Sequence, residues 1–247
     1  MILNLLNKID QSNIGLDNLY PSSTTVIRFQ QEWQIDLYQQ RINKFKNNPI
    51  GNNKIVFLGN SITQGGGDWN KRFKVENIVN RGISGDITEG VLQRLDEILY
   101  YKPLAVFLLI GINDIFNSDI PERDKITPEY VSKNIIKIAD EIKKGSPNTD
   151  IYIQTILPIN DKIYKKINGS FPEHDLPLPL QINSINKLIK KYTNIKNYHF
   201  IDLHSSFIGP DGLIDKSYTT DGVHLNENGY KVWIRNLKNI VQELQKK

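Results

Sequence analysis

Four short stretches of this 247-residue chain carry side chains suited to acyl transfer. They are Gly59-Asn60-Ser61-Ile62-Thr63, Asn80-Arg81-Gly82-Ile83-Ser84-Gly85-Asp86, Gly111-Ile112-Asn113-Asp114 and Asp221-Gly222-Val223-His224. A serine hydroxyl is a weak nucleophile until a neighbouring base takes its proton. The chain has four histidines, at 174, 199, 204 and 224. His174 lies in a proline-rich stretch with no spacing partner, and His199 opens a strand pattern. His204 follows Asp202 by two positions, which in a strand sends the pair to opposite faces. His224 follows Asp221 by three, and residues i and i+3 meet on a turn. Asp221 can then accept from the imidazole Nδ1–H and leave the other ring nitrogen ready for the Ser61 proton. An oxyanion developing on an ester needs donors aimed at it. Asn113 offers an amide, Gly85 an N–H with no side chain to block approach, and Ser61 its own N–H. Singly, each block has an ordinary reading: Ser61 as a helix N-cap, Gly82 and Gly85 as turn residues, Asn113-Asp114 as a turn and cap, Asp221 and His224 as a surface pair. Together and in order they read as one site.

Such a site requires a frame that brings the four blocks together. Lys54–Leu58 is a continuous apolar run ended by Gly59. Leu104–Ile110 is a stronger one, and Ile78–Asn80, Asp150–Leu157 and Tyr198–Leu203 complete a set of five expected strands. Uninterrupted apolar runs suit strands covered on both faces. Helical spacing separates them. Residues 29–47 place Ile35, Tyr38, Ile42 and Phe45 on one face. Thr88–Tyr101 lines up Val91, Leu92, Leu95, Ile98 and Leu99, and Pro128–Lys144 lines up Val131, Ile135, Ile138 and Ile142. Leu180–Tyr192 and Asn226–Gln245 read as two further helices. Residues 158–180, with prolines at 158, 172, 177 and 179, are expected as a loop, whose Ile163, Tyr164, Phe171 and Leu176 would give a pocket rim apolar surface. Alternation of this kind implies the α/β class, a parallel sheet with helices on both faces, whose ligands bind beyond the carboxyl ends of the strands. Three of the blocks directly follow expected strands, and the fourth lies past the fifth strand, just before the final helix. Residues 1–28, polar and rich in Asn and Ser, are expected to be an irregular arm, and 29–247 one domain.

Composition removes other classes. Lys plus Arg number 31 and Asp plus Glu 27, a dispersed excess of four that does not form a nucleic-acid stripe. The chain has no cysteine, which removes disulfides, thiolate zinc sites and cysteine nucleophiles together. No two histidines have metal-ligand spacing, and the glycine-rich residues 59–67 lack the Gly-Lys-Ser/Thr of a phosphate loop. No apolar stretch approaches the ~20 residues of a membrane span. Met1–Lys8 has no basic start and only a broken apolar run, a poor signal peptide. The default expectation is therefore cytoplasmic, although a mature secreted or periplasmic form would read the same.

The four blocks resemble those of the SGNH hydrolases, also called the GDSL family of lipases and esterases, from about residue 53 to 240. The resemblance implies a three-layer α/β/α sandwich similar to flavodoxin, with a five-stranded parallel sheet. It also implies Ser61 as nucleophile, His224 as base and Asp221 as its orienter, with Gly85 and Asn113 joining the Ser61 N–H in the oxyanion hole and no metal or organic cofactor. Asn60 stands where the family's signature has an aspartate. Gly65-Gly66-Gly67-Asp68-Trp69 and Tyr218–Asn226 look most like the branch similar to platelet-activating-factor acetylhydrolase, which includes bacterial sialate and other carbohydrate O-acetylesterases. This implies a short acyl group, acetyl first, on a small-molecule or glycan ester. Asn60, Trp69 and Asp86 are candidates for the substrate pocket, and Trp69 reads equally as a core anchor. Arg81 and Arg94 are candidates either to meet an acidic substrate or to be salt-bridged. A lysophospholipase or thioesterase taking longer chains, and a non-catalytic carbohydrate-binding domain, are the rival readings. The oligomeric state is left open.

Overall fold

A computed structural model describes residues 15–247 apart from Pro121, so residues 1–14 of the expected arm lie outside the described residues. Five strands form one sheet: β1 (Ile55–Gly59), β2 (Ile78–Gly82), β3 (Ala105–Leu109), β4 (Asp150–Gln154) and β5 (His199–Ile201). Every pairing is parallel, in the order β2-β1-β3-β4-β5. The register puts Val56, Val106 and Ile151 side by side on one face, and Phe57, Phe107 and Tyr152 on the other. Both faces are covered, which is why β1 and β3 read as unbroken apolar runs.

One face is packed by α4 (Thr88–Leu92), α5 (Asp96–Tyr101), α7 (Pro128–Gly145) and α9 (Leu178–Lys196), whose Val91, Ile98, Val131, Ile138, Ile182 and Ile189 join Val56, Leu58, Val106 and Ile153. The other face is packed by α2 (Ser61–Gly65), α3 (Trp69–Phe73), α10 (His204–Phe207) and α11 (Glu227–Leu244). There the strands carry a row of stacked rings, with Trp69 on Phe57, Phe57 on Phe107 and Phe107 on Tyr152 at centroid separations of 4.6, 4.9 and 4.5 Å. The architecture is the three-layer α/β/α sandwich the sequence implied. No helix among the described residues is long and apolar enough to cross a membrane.

A third, smaller core lies under α1 (Glu32–Asn47), where Tyr38, Ile42 and Phe45 meet Leu19, Tyr20, Ile27, Ile83 and Ile87. The segment before α1 is thus irregular apart from a 3-10 turn at Leu16–Leu19, but it is packed down. The expected apolar face of α1 needs one correction: Ile35 is exposed and Gln34 is the buried residue of that turn. The expected helix 88–101 is broken into α4 and α5. The Arg94 N–H bonds back only three residues, to Val91 O at 3.1 Å, and the tightened turn carries the Arg94 guanidinium into the interior. The expected loop 158–180 contains α8 (Asp161–Asn168), capped by Asn160 and ended by Gly169 at φ +83°. None of its four prolines enters this helix: Pro158 precedes it, Pro172 follows it, and Pro177 and Pro179 lie at the start of α9, so they give no sign against it.

Buried ions tie this edge of the fold together. Arg81 and Glu97, 4% and 3% exposed, meet at 2.7 Å, and Arg94 meets Asp86 at 2.7 Å. Both arginines are therefore spent inside the protein, the salt-bridged alternative. Glu97 also accepts from the Tyr20 hydroxyl at 2.8 Å and the Ile50 N–H at 2.9 Å. Removing one partner leaves the other as an uncompensated buried charge. Glu97→Ala is accordingly expected to cost about 3–5 kcal/mol, read as a lowered denaturation midpoint.

Candidate active site

The chain leaves β1 toward β2 on one side and β3 toward β4 on the other, so a crevice opens beyond the carboxyl ends of β1 and β3. A cleft of ≈ 370 Å³ occupies it, lined by Ser61, Ser84, Gly85, Asn113 and His224 together with Trp33, Phe116, Asn117, Tyr164 and Val223. All four sequence blocks contribute.

Asn60 is the N-cap of α2, its Oδ1 accepting the Ile62 N–H at 3.0 Å. This leaves Ser61, the next residue, with its hydroxyl toward the cleft and not spent as a cap. Ser61 Oγ lies 3.0 Å from His224 Nε2, although 163 positions separate them. His224 Nδ1 lies 2.7 Å from Asp221 Oδ2. The other carboxylate oxygen accepts the backbone N–H of Val223 at 2.9 Å and of His224 at 2.7 Å. The Asp221–His224 turn is held from outside: Asn160 N–H donates to Gly222 O at 2.8 Å, and Thr219 Oγ1 donates to His224 O at 2.7 Å. Burial works to raise the Asp221 carboxyl, but the bonds from the imidazole and the two N–H groups outweigh it and hold its pKa at about 2. An ionised Asp221 accepts the hydrogen bond from Nδ1–H and keeps that proton on Nδ1, so Nε2 faces the Ser61 hydroxyl as an acceptor.

The glycine block closes the other side. Gly85 adopts φ +79°, a left-handed conformation costly for any side chain, and an added Cβ would sit 2.9 Å from the Trp33 ring. Gln34 Nε2, buried, donates to Gly85 O at 2.8 Å and fixes this peptide. The Gly85 N–H has no hydrogen-bond acceptor among the described residues. Ser84 N–H is tied to Gln64 Oε1 at 2.8 Å, and Gly82 lets β2 approach so closely that a Cβ there would overlap the Gln64 backbone nitrogen. Asn113, in α6 (Ile112–Phe116), donates one Nδ2 hydrogen to Asp86 O at 2.9 Å; an amide carries two. Asp114 beside it accepts from the Thr88 N–H and hydroxyl, anchoring α6 to α4; burial pushes its carboxyl up to about 7 against those bonds.

Three expected pocket residues are corrected by burial. Asn60 is 0% exposed and spent as a cap; its Nδ2 has no partner, so the amide in place of the family's carboxylate leaves a donor unmatched. Asp86 is held by Arg94 beneath the glycine loop. Trp69 belongs to the stacked rings of the core, where it also meets Trp233 edge-on at 5.1 Å. Of the expected rim, Tyr164 lines the cleft and packs edge to face with Phe116 and Phe171. His174, His199 and His204 lie elsewhere: His174 Nε2 is paired with Phe116 O at 2.9 Å, and His199 stacks on Tyr152. Trp33, Gln34 and Asn117 were not singled out from sequence. The signal available was Gln34, a polar residue one helical turn before Tyr38 on an otherwise apolar stripe. Among the described residues, no three His, Asp or Glu side chains come together where they could hold a metal ion.

The arrangement can move a proton from a hydroxyl to an imidazole backed by a carboxylate, next to unpaired N–H donors. Comparison with known proteins agrees with that chemistry. A model of the GDSL-like lipase/acylhydrolase family matches residues 57–232, which include all four blocks. Platelet-activating factor acetylhydrolase IB subunit alpha1 of Rattus norvegicus is 26% identical over 197 residues, 77% of this chain and 76% of that protein. The N-acylneuraminate cytidylyltransferase of Escherichia coli O18:K1:H7 is 26% identical over 246 residues, 96% of this chain but 52% of that longer protein. A GDSL-like lipase structure from Bacteroides thetaiotaomicron shares the fold, with TM-score 0.66 and 21% identity over 83% of this chain and 97% of that one. With the family's matched segment spanning well over half of its residues, the chain belongs to the GDSL-like lipase/acylhydrolase family and is a carboxylic ester hydrolase.

Proposed function

We propose that the chain removes short acyl groups, acetyl first, from O-acylated sugars, through an acyl-enzyme on Ser61. The observation that carries this is the run of contacts from Asp221 through His224 to Ser61 at the cleft floor. Ser61 Oγ attacks the ester carbonyl while His224 Nε2 takes its proton, and Asp221 stabilises the resulting imidazolium. The N–H groups of Gly85 and Ser61 and the free amide hydrogen of Asn113 receive the oxyanion. The imidazolium then protonates the leaving alcohol, and a water activated by the same ring releases the acid.

A short acyl group suits a cleft whose walls are Phe116, Tyr164 and Val223. The sugar is supported by the relative named for N-acylneuraminate chemistry, whose likeness extends along almost the whole of this chain. An O-acetylated N-acylneuraminate is therefore the first substrate to try. The test has two arms. Release of acetate is measured on O-acetylated N-acetylneuraminate, acetylated xylo-oligosaccharides and simple esters, and p-nitrophenyl esters of increasing chain length are compared. An acetyl optimum with turnover of an acetylated sugar supports the reading. An octanoyl optimum replaces it with a lysophospholipase or thioesterase, and no turnover with a non-catalytic binding domain.

Asn113→Ala is expected to lower kcat by about 10²–10³ with a modest change in KM, because the donor acts on charge present only in the transition state. Steady-state kinetics on p-nitrophenyl acetate check this, and a change in KM alone would contradict the role.

A further inference from the structure

A second cavity, of ≈ 710 Å³, lies beside the cleft and shares two of its walls, Trp33 and Asn117. We infer that it is the subsite for the sugar portion of the ester, with the ring stacked on Trp33 and an acidic sugar's carboxylate on Arg28. This rests on the sugar-ester reading above and adds to it the place and chemistry of the leaving group.

Continuity is the first argument. An ester held with its carbonyl at Ser61 and Gly85 can extend past Gly85 along the indole that packs on that glycine. That way leads into the larger cavity, whose volume falls in the ordinary range of small-molecule sites, about 300–1,000 Å³. The second argument is the indole itself. Of the three tryptophans, Trp69 and Trp233 are 1% and 0% exposed, whereas Trp33 is 52% exposed. Trp33 Nε1 donates to Gln31 Oε1 at 2.6 Å, and the same oxygen accepts from Asn117 Nδ2 at 2.8 Å. The ring is thus fixed before any ligand arrives, at little entropic cost on binding.

The third argument is the polar lining. Arg28, Glu32, Asn117, Asp119 and Glu122 set donors and acceptors around the cavity, which suits sugar hydroxyls, each both donor and acceptor. Arg28 is the cation among these lining side chains. Its guanidinium lies 4.3 Å over the Phe29 ring and uses one nitrogen on Glu122 at 3.2 Å. Glu122 is shared with Lys125, so its charge is already matched once, and Arg28 keeps donors for a second carboxylate. Phe29 adopts φ +65°, rare for a bulky residue, and its ring also meets Tyr130 edge-on at 5.7 Å.

The test separates this subsite from the sugar-ester reading. In the Ser61→Ala protein, free N-acetylneuraminate is expected to shield Trp33, the exposed tryptophan, from acrylamide quenching, and Arg28→Gln in that background is expected to weaken this binding about tenfold or more. In the active enzyme, Arg28→Gln is expected to lower kcat/KM for O-acetylated N-acetylneuraminate about tenfold relative to kcat/KM for p-nitrophenyl acetate. No shielding at any sugar concentration overturns the subsite, as does shielding that Arg28→Gln leaves unaltered. Proportional loss on both substrates also overturns it, because the residue would then act on the fold. Shielding without release of acetate from any sugar ester keeps the sugar-binding site and removes the sugar-ester reading.

Discussion

Ser61→Ala is expected to lower kcat by up to about 10⁶, the scale on which loss of a triad serine acts. The geometry explains why so much rests on one atom. The chain has no cysteine to substitute as nucleophile, and His224 Nε2 has the Ser61 hydroxyl as its neighbour at 3.0 Å. Without Oγ the imidazole has no proton to take, the acyl-enzyme cannot form, and only the donors of the cleft remain to assist attack by water. Folding should be unaffected, because Asn60 and not Ser61 caps α2. The measurement is kcat on p-nitrophenyl acetate beside a thermal melt. Near-full activity would end the assignment of Ser61, and a lowered melt would trace the loss to the fold.

Asp221→Asn is expected to lower kcat by about 10⁴ while leaving KM close to its starting value. Both carboxylate oxygens are engaged, Oδ1 by two backbone N–H groups and Oδ2 by the imidazole. An asparagine has one acceptor oxygen. If that oxygen keeps the two N–H groups that shape the turn, its NH₂ faces Nδ1 and forces the ring proton onto Nε2. The imidazole then offers Ser61 a donor where an acceptor is needed. The pH dependence follows from the depressed Asp221 pKa of about 2. A depressed carboxylate adds stability that is present above its unfolded pKa of about 3.9 and is lost as pH falls through about 2. Between pH 5 and 8 the native enzyme therefore keeps Asp221 ionised, and the loss in Asp221→Asn should persist across that range. Recovery of activity at any pH within it would contradict the tautomer argument.

Sequence patterns decided the frame and the chemistry, because both are written locally. Buried parallel strands need continuous apolar runs, so β1 and β3 were readable from a few residues each, and the rule that ligands bind at strand ends then picked out Ser61, Gly85, Asn113 and the Asp221–His224 pair. Local pattern misled where a long-range partner set the outcome. Arg94 breaks the helix expected over 88–101 because it reaches Asp86 inside the fold, and Trp69, adjacent in sequence to the serine block, turns away to stack on Phe57. Asn60 and Asp86 sit next to cleft residues in sequence and face the interior in space.

Which residue types this chain could use for acyl transfer, and that no cysteine is among them, follow from its amino-acid sequence alone: composition and short spacings are properties of the covalent chain. The distance from Ser61 to His224, the burial of Asp86 and the pairing of Trp33 with Gly85 come only with the tertiary structure. Each depends on segments far apart in the chain, and only the packing of one element on another determines where they meet.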